Sequence, residues 1–344
     1  MDLADASTHA ALTATLARLA GAPTATLTGY RRLSGGAIQQ NIALDVAFGA
    51  GPLRGAHRWV LRTDAPSSVA ASHTRAEEFS LLKVAYAAGV RTPQPRFSFA
   101  GDRHLPPFFV MDRVEGEAAG HRLVKEGAVG DRPALAKDIG ANLARLHALR
   151  PPQRDLAFLG QPVGGSSKAA VADYAAAVEH WFALTADARP VLDWAVQWLQ
   201  HNLPSVEVAV LLHRDYRIGN LMVGGDRVVA TLDWEFAGWG DPREDLGWFS
   251  APCWRFGRMD ATGGGVAAMQ DVLDGYNAQA GTAITEDELL PWQVLAQLRW
   301  AVIALQQTER LLAGGERSLE LALTGRLLPE LEWQILALTG ESIG

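Results

Sequence analysis

Asp215, Asn220 and Asp233 lie close together in the stretch from Leu211 to Phe249, which opens His213-Arg214-Asp215 and places Asn220 four intervening residues later. These residue types suit one chemistry in particular. A carboxylate amid such partners can take the proton of an attacking hydroxyl. An amide oxygen and a second carboxylate form a partial oxygen cage for Mg²⁺ that leaves positions for water and phosphate oxygens. The expected reaction is phosphoryl transfer, in which the protein positions the reactants and neutralises charge. Each of these residues alone also reads as a turn former or a cap; the joint pattern carries the catalytic reading.

The elements around the three residues must bring them together. The apolar run Val206, Val208, Val210, Leu211 and Leu212 delivers the backbone to a buried layer. Leu221 to Val223 and Val228 to Leu232 read as two strands joined by Gly224-Gly225-Asp226, a β-hairpin whose open end carries Asn220 and Asp233. Beyond it, Asp241 and Asp245 are expected to cap the next helix and brace the catalytic loop. Glu235 is expected in a supporting place.

The N-terminal third reads as a nucleotide-binding lobe. Leu12, Leu16 and Leu19 mark a helix within residues 1–20, closed by Gly21 and Pro23. A strand-like run to Leu33 leads into Ser34, Gly35 and Gly36, followed by alternating Ile42, Leu44, Val46 and Phe48. Glycines between strands let backbone N–H groups approach phosphate oxygens, although an ordinary hairpin looks the same. Arg58 to Arg62 reads as a third strand, and the Arg62 guanidinium can hold phosphate. A helix from about 72 to 88 offers Glu78 as its ion-pair partner, with Glu77 as the alternative, since adjacent helical residues point about 100° apart. Phe108 to Gly116 reads as the last strand of this lobe and then a hinge, with Met111 beside the nucleotide base or as core filler.

The remainder is mainly helical. Ile139, Leu143 and Leu146 form a stripe followed by His147, which reads more readily as a satisfied core histidine than a catalytic one. Pro151-Pro152 ends that helix, and further helical patterns cover about 170–202, 266–280 and 286–338. Ten of the eleven tryptophans follow residue 180, which suggests core filling and an aromatic-walled acceptor pocket. Residues 251–344 hold twelve Asp/Glu against six Arg, which suits a cationic acceptor or a solvated helix face equally.

Composition narrows the class. A chain of 344 residues with 48% hydrophobic and 20% charged residues has ample material for two lobes. A net charge of -7 offers no basic surplus for nucleic acid. The single Cys253 excludes an internal disulfide and fits a reducing compartment. The N-terminus lacks the basic and apolar regions of a signal peptide, and no apolar run approaches the roughly 20 residues that span a bilayer. The expectation is a cytoplasmic protein without membrane or nucleic-acid partners, monomeric or homodimeric.

Assembled, these residues resemble the aminoglycoside phosphotransferase/choline kinase-like family over roughly residues 25–340. The likeness rests on LSGG at 33–36, VLR at 60–62, the Glu78 helix, FFVMDRVEG at 108–116, HRDYRIGN at 213–220 and LDWEFAGWGDPREDLGW at 232–248. CWRFG at 253–257 and SLELALTGR at 318–326 resemble the branch related to kinase domains fused to acyl-CoA dehydrogenases. The resemblance implies an α+β, bilobal protein-kinase-like fold, with a small β-rich N-lobe (1–111), a hinge (112–116) and a larger, mainly helical C-lobe (117–344). It implies ATP or GTP with Mg²⁺ and transfer of the γ-phosphoryl group to the hydroxyl of a small molecule. Asp215 would be the general base and Asn220 and Asp233 the metal ligands. Ser34, Gly35, Gly36, Arg62, Glu78 and Met111 would serve the nucleotide. Arg214 stands where many relatives have glycine, and Arg62 where kinases carry lysine. Only eleven residues separate Asp233 from Asp245, little room for the long phosphorylatable loop of a protein kinase. The other class the sequence admits is a nucleotide-binding scaffold without transfer activity.

Overall fold

The computed structural model describes residues 1–33, 39–64, 72–161, 166–206, 208–314 and 319–340. The chain divides into two compact units. The first comprises Met1–Gly116, Gln153–Phe158 and Val229–Phe236; the second comprises Glu117–Pro152, Leu159–Val228 and Ala237–Gly344. Asp233 and Glu235 therefore belong to the first unit, Asp215 and Asn220 to the second.

The first unit contains α1 (Ala6–Leu19), β1 (Ala25–Arg32), β2 (Gln39–Phe48), β3 (Gly55–Asp64), α2 (Arg75–Ala87), β4 (Pro95–Phe99) and β5 (Phe108–Asp112). Asp5 caps α1 by accepting from the Thr8 N–H, and its Leu12 and Leu16 are fully buried. The sheet runs β1-β2-β3-β5-β4, antiparallel throughout. Side chains alternate between its faces. Ile42, Leu44, Val46, Trp59, Leu61 and Val110 pack with the α1 leucines in one core. The opposite face carries the intervening residues: Asn41 pairs with Arg62 and Arg62 with Phe109, while Ala43 pairs with Val60 and Val60 with Met111. Arg62 and Met111 thus share a face. Strand β4 was not expected, because Pro95 reads as punctuation after α2. As the first residue of an edge strand, this proline removes no needed ladder donor.

The second unit contains α3 (Gly120–Leu123), α4 (Arg132–His147), α5 (Ser166–Thr185), α6 (Pro190–Asn202), β6 (Val210–Leu212), β7 (Leu221–Gly224), β8 (Arg227–Thr231), β9 (Gly238–Gly240), α7 (Pro242–Ser250), α8 (Met269–Ala280), α9 (Leu290–Leu312), α10 (Leu319–Gly325) and α11 (Leu328–Gly340). Strands β7 and β8 form the expected hairpin, with Gly225 at φ 62°; the boundary between the units falls inside β8. The helical pattern of 170–202 breaks between α5 and α6, where Ala186 takes φ 57° and Pro190 opens the second helix. β6 pairs with β9, a strand that its two glycines conceal in the sequence. A Cβ on Gly240 would lie 2.4 Å from Leu212 Cδ1, so any larger residue there would have to move the Leu212 side chain. Trp181, Trp198 and Trp292 fill the core of this unit beside Leu199, Leu298 and Ile335. Among the described residues no helix is long and apolar enough to cross a membrane.

Helices α4 and α8 meet backbone to backbone through two glycines. A Cβ on Gly140 would lie 1.9 Å from the Val272 carbonyl oxygen, and one on Gly275 1.9 Å from that of Lys137. This crossing seats Ile139, whose carbonyl accepts from the Tyr216 hydroxyl at 3.0 Å in the loop that carries Asp215. Gly140→Ala is expected to destabilise the protein by about 1–3 kcal/mol or more, the usual cost of overpacking, read as a lower denaturant midpoint.

Candidate active site

The loop after β6 presents the Asp215 carboxylate to several donors of its own unit. The Trp248 indole Nε1–H donates to Oδ1 at 3.0 Å, Arg217 Nε to Oδ1 at 3.1 Å and Oδ2 at 3.3 Å, and Asn220 Nδ2 to Oδ2 at 2.6 Å. Asn220 also donates to the Asp215 carbonyl at 2.9 Å. Its amide nitrogen thus faces Asp215, and its Oδ1 is the atom left to meet a cation. Sequence reasoning does not identify Arg217 or Trp248 as partners of Asp215. Arg217 is legible there only as a charge two residues away, and Trp248 as one aromatic among many.

Asp245 fixes this loop. It is completely buried inside α7, and its oxygens accept from the backbone N–H groups of His213 (2.7 Å) and Arg214 (2.8 Å). His147 Nε2 lies 3.2 Å from Asp245 Oδ2 and its Nδ1 2.9 Å from the Tyr276 hydroxyl, a satisfied core histidine that supports the loop through Asp245. Burial alone would raise the Asp245 carboxyl, yet the bonds from His147 and the His213 backbone hold it below the ordinary carboxylate value. The expected division of labour needs one correction: Asp241 is the N-cap of α7, accepting from Arg243 N–H, whereas Asp245 braces without capping. Arg214 adopts φ 61°, the left-handed region that costs a side-chain-bearing residue about 1–2 kcal/mol and suits glycine. Its side chain holds the conformation, with Nη2 donating to the Trp239 carbonyl at 3.0 Å and Nε 3.6 Å from Glu244.

The first unit gathers a second set of charges on the Arg62 face of the sheet. Arg62 is 5% exposed; its Nε lies 2.8 Å from Glu78 Oε1, and its Nη2 donates to Asp233 Oδ1. Burial would weaken its hold on the proton, but Glu78, Asp233 and Glu235 together raise its pKa above the ordinary value. Glu78 is the partner and Glu77 is not, because Glu77 completes a capping box with Thr74 at the start of α2. A second arginine, Arg75, also donates to Glu78, and further to Asp64 at 2.9 Å and the His73 carbonyl at 2.8 Å. Gln39, at the start of β2, donates to Glu235 at 3.2 Å. Burial, then the Asp233 charge, push the Glu235 carboxyl up to about 7. Asp233 itself sits at φ 66°, backbone strain that the surrounding structure must sustain. Ser34, Gly35 and Gly36 lie outside the described residues.

The Asp233 carboxylate, in the first unit, and the Asn220 amide oxygen, in the second, are each donors of the kind a hard cation such as Mg²⁺ takes. Among the described residues no three His, Cys, Asp or Glu side chains cluster into a metal cage. One carboxylate and one amide oxygen suit a hard cation that retains water and phosphate oxygens.

Two outcomes test this geometry. Glu78→Gln is expected to leave Arg62 and Arg75 short of a buried counter-charge and to cost about 3–5 kcal/mol. Glu77→Gln, at the exposed cap, should cost about 1 kcal/mol or less; urea midpoints of the two variants decide. Asp245 contributes stability above its unfolded value, about 3.9, which is lost as pH falls through its depressed folded value. The stability gap between wild type and Asp245→Asn should therefore narrow as denaturation is repeated from pH 7 down to pH 3.

The profile of the Phosphotransferase enzyme family matches residues 29–287. Acyl-CoA dehydrogenase family member 11 of Pongo abelii is 26% identical over 238 residues, covering 65% of this chain and 30% of that protein. The Homo sapiens protein of that name is 28% identical over 204 residues, covering 57% and 25%. The matches span less than a third of these relatives' length. A solved Ralstonia eutropha protein assigned as an aminoglycoside phosphotransferase superposes with TM-score 0.74 at 18% identity, covering 97% of this chain and 98% of that one. Aminoglycoside 2'-phosphotransferase-IIIa, solved with GDP, gives 0.65 at 17% identity, covering 95% and 99%. The fold is the α+β protein-kinase-like fold of these enzymes, and the chain belongs to the phosphotransferase enzyme family.

Proposed function

We propose that this protein is an ATP-dependent O-phosphotransferase acting on a small-molecule alcohol. The observation that carries the reading is the Asp215 carboxylate, held by Trp248, Arg217 and Asn220 on a loop braced by Asp245. Asp215 takes the proton of the acceptor hydroxyl as its oxygen attacks the γ-phosphorus; the bond to the β–γ bridging oxygen breaks and ADP leaves. Asn220 and Asp233 are the protein ligands of Mg²⁺, which when bound neutralises phosphate charge. Arg62, fixed by Glu78, contacts phosphate, and Ser34, Gly35 and Gly36 supply backbone donors to it. Met111 lies against the nucleotide base, on the sheet face it shares with Val60 and Arg62. The nucleotide lobe is 1–111, the hinge 112–116 and the acceptor lobe 117–344. ADP and GDP accompany structural neighbours of this chain.

Within that class we favour a hydroxyl on an acyl chain carried by coenzyme A over an aminoglycoside. The curated relatives are acyl-CoA dehydrogenase family proteins. The unit that carries Asp215 also places arginines close to the base loop: Arg217 on the carboxylate itself, and Arg299 donating to the Arg214 carbonyl. Such surroundings disfavour a polycation.

Asp215→Ala is expected to lower kcat by about 10²–10⁴-fold, the contribution of a positioned base, with Mg-ATP affinity retained in calorimetry. Acceptor-dependent ADP release should appear with hydroxyacyl-CoA esters in a panel that includes kanamycin, choline and sugars, and should vanish in this variant. Unchanged turnover in Asp215→Ala would remove the residue from the mechanism.

A further inference from the structure

The CWRFG run at 253–257 lies in the turn between α7 and α8, and it grips the loop that carries Asp215 twice. Trp254 underlies the Arg217 guanidinium, which lies 4.8 Å from its ring centroid, and Arg217 is a partner of Asp215. Phe256 meets the same loop one residue further on. From the point that a Cβ on Gly120 would occupy, Phe256 Cζ lies at 2.6 Å and Ile218 Cγ2 at 3.1 Å, so ring and methyl sit side by side. All of these residues belong to the second unit.

The turn holds Phe256 between fixed neighbours. Arg255 is largely buried and donates from Nε and Nη2 to the Ser250 carbonyl, at 3.0 and 2.8 Å, which ties the turn to the end of α7. Its Nη1 donates to the Met259 carbonyl at 3.1 Å. Its own carbonyl accepts from the Arg258 N–H at 2.9 Å, and the Gly265 backbone packs on it so closely that a Cβ there would lie 2.4 Å from the oxygen. Arg258 Nη1 reaches the Val124 carbonyl at 3.2 Å. Within this frame Phe256 takes φ 50°, a left-handed conformation that bulky residues rarely adopt. The residue nevertheless stays 39% exposed, and Met259 in the same turn 45%. A ring shown to water gains little from burial, and backbone strain of this kind clusters at places that clamp a ligand.

We propose that Phe256 is the seat for the hydrocarbon part of the acceptor, the acyl chain that carries the hydroxyl to Asp215. The inference rests on the phosphotransferase reading and adds a residue that selects the acceptor. An aromatic ring takes methylene groups by dispersion and by the release of water. A polyhydroxylated or polycationic acceptor would instead set polar groups against the ring without partners.

Calorimetric titration of the whole chain, saturated with Mg-ADP, uses free coenzyme A and its hydroxybutyryl, hydroxyhexanoyl and hydroxyoctanoyl esters as probes. In wild type, affinity is expected to rise with length by about two- to fourfold for each methylene that the ring covers. Phe256→Ala and Phe256→Gly should flatten that rise and leave Mg-ADP affinity unchanged, while Phe256→Leu should keep part of it. Phe256→Gly also relieves the left-handed backbone. Loss of the length dependence with an undiminished urea midpoint therefore separates a seat for the chain from a structural filler. Three results would overturn the proposal: length dependence that persists in Phe256→Gly, a loss that falls equally on free coenzyme A, or a wild type that binds Mg-ADP without preferring longer esters. A wild type that binds no Mg-ADP would refute the phosphotransferase reading instead, and the ester titrations repeated without nucleotide then judge the seat by the same criteria.

Discussion

A carboxylate taken out of water must be given donors, and the machinery of this protein is arranged around that constraint at Asp245. Its position inside α7 leaves it completely buried, so its oxygens are satisfied by the His213 and Arg214 backbone and by His147. Those bonds set the path of the loop that ends at Asp215, and they sustain the left-handed backbone of Arg214. The same requirement shapes the sheet of the first unit, where Arg62 is buried only because Glu78 and Asp233 share it. In each unit an expensive buried charge fixes the position of its neighbours: Asp245 that of the loop reaching Asp215, Glu78 that of Arg62.

Much of this is legible in the sequence, and the reasons divide cleanly. The Asp215, Asn220 and Asp233 pattern, the hairpin and the amphipathic helices are local, and local spacing carries them. The choice of Glu78 over Glu77 is open in the sequence, and the capping box at Thr74 closes it. Its signal is present in the run Thr74-Arg75-Ala76-Glu77, a threonine three residues ahead of a glutamate. That spacing becomes decisive only once the helix is known to begin at Arg75, which makes Glu77 its third residue. Other features depend on tertiary contact. β9 is hidden by its glycines, and β4 by a leading proline. The bonds from Trp248 to Asp215 and from Arg62 to Glu78 join residues far apart in the chain, whose relation is set by packing.

The tryptophans show the two influences together. Trp234, Trp239, Trp248, Trp254 and Trp292 are all buried, which is the ordinary fate of large apolar rings. Yet several also carry polar duties: Trp248 donates to Asp215, Trp254 underlies Arg217 and Trp292 faces Arg243 at 5.6 Å. Aromatic crowding near the motif is visible in the chain, but its use as flooring for arginines is not. The acidic balance of residues 251–344 likewise says little about the surroundings of Asp215, where Arg217 and Arg299 stand close to the loop.

The bond from Trp248 to Asp215 has an optical consequence. Indole emission responds to charge beside the ring, and this indole holds the carboxylate through its own N–H at 3.0 Å. Neutralising or displacing that carboxylate changes the field on the chromophore directly. Trp254 and Trp300 lie within energy-transfer range of it, with successive ring centroids 5.2 and 4.8 Å apart. Asp215 therefore carries a built-in fluorophore, and changes at its carboxylate can be followed in ultraviolet light without a label.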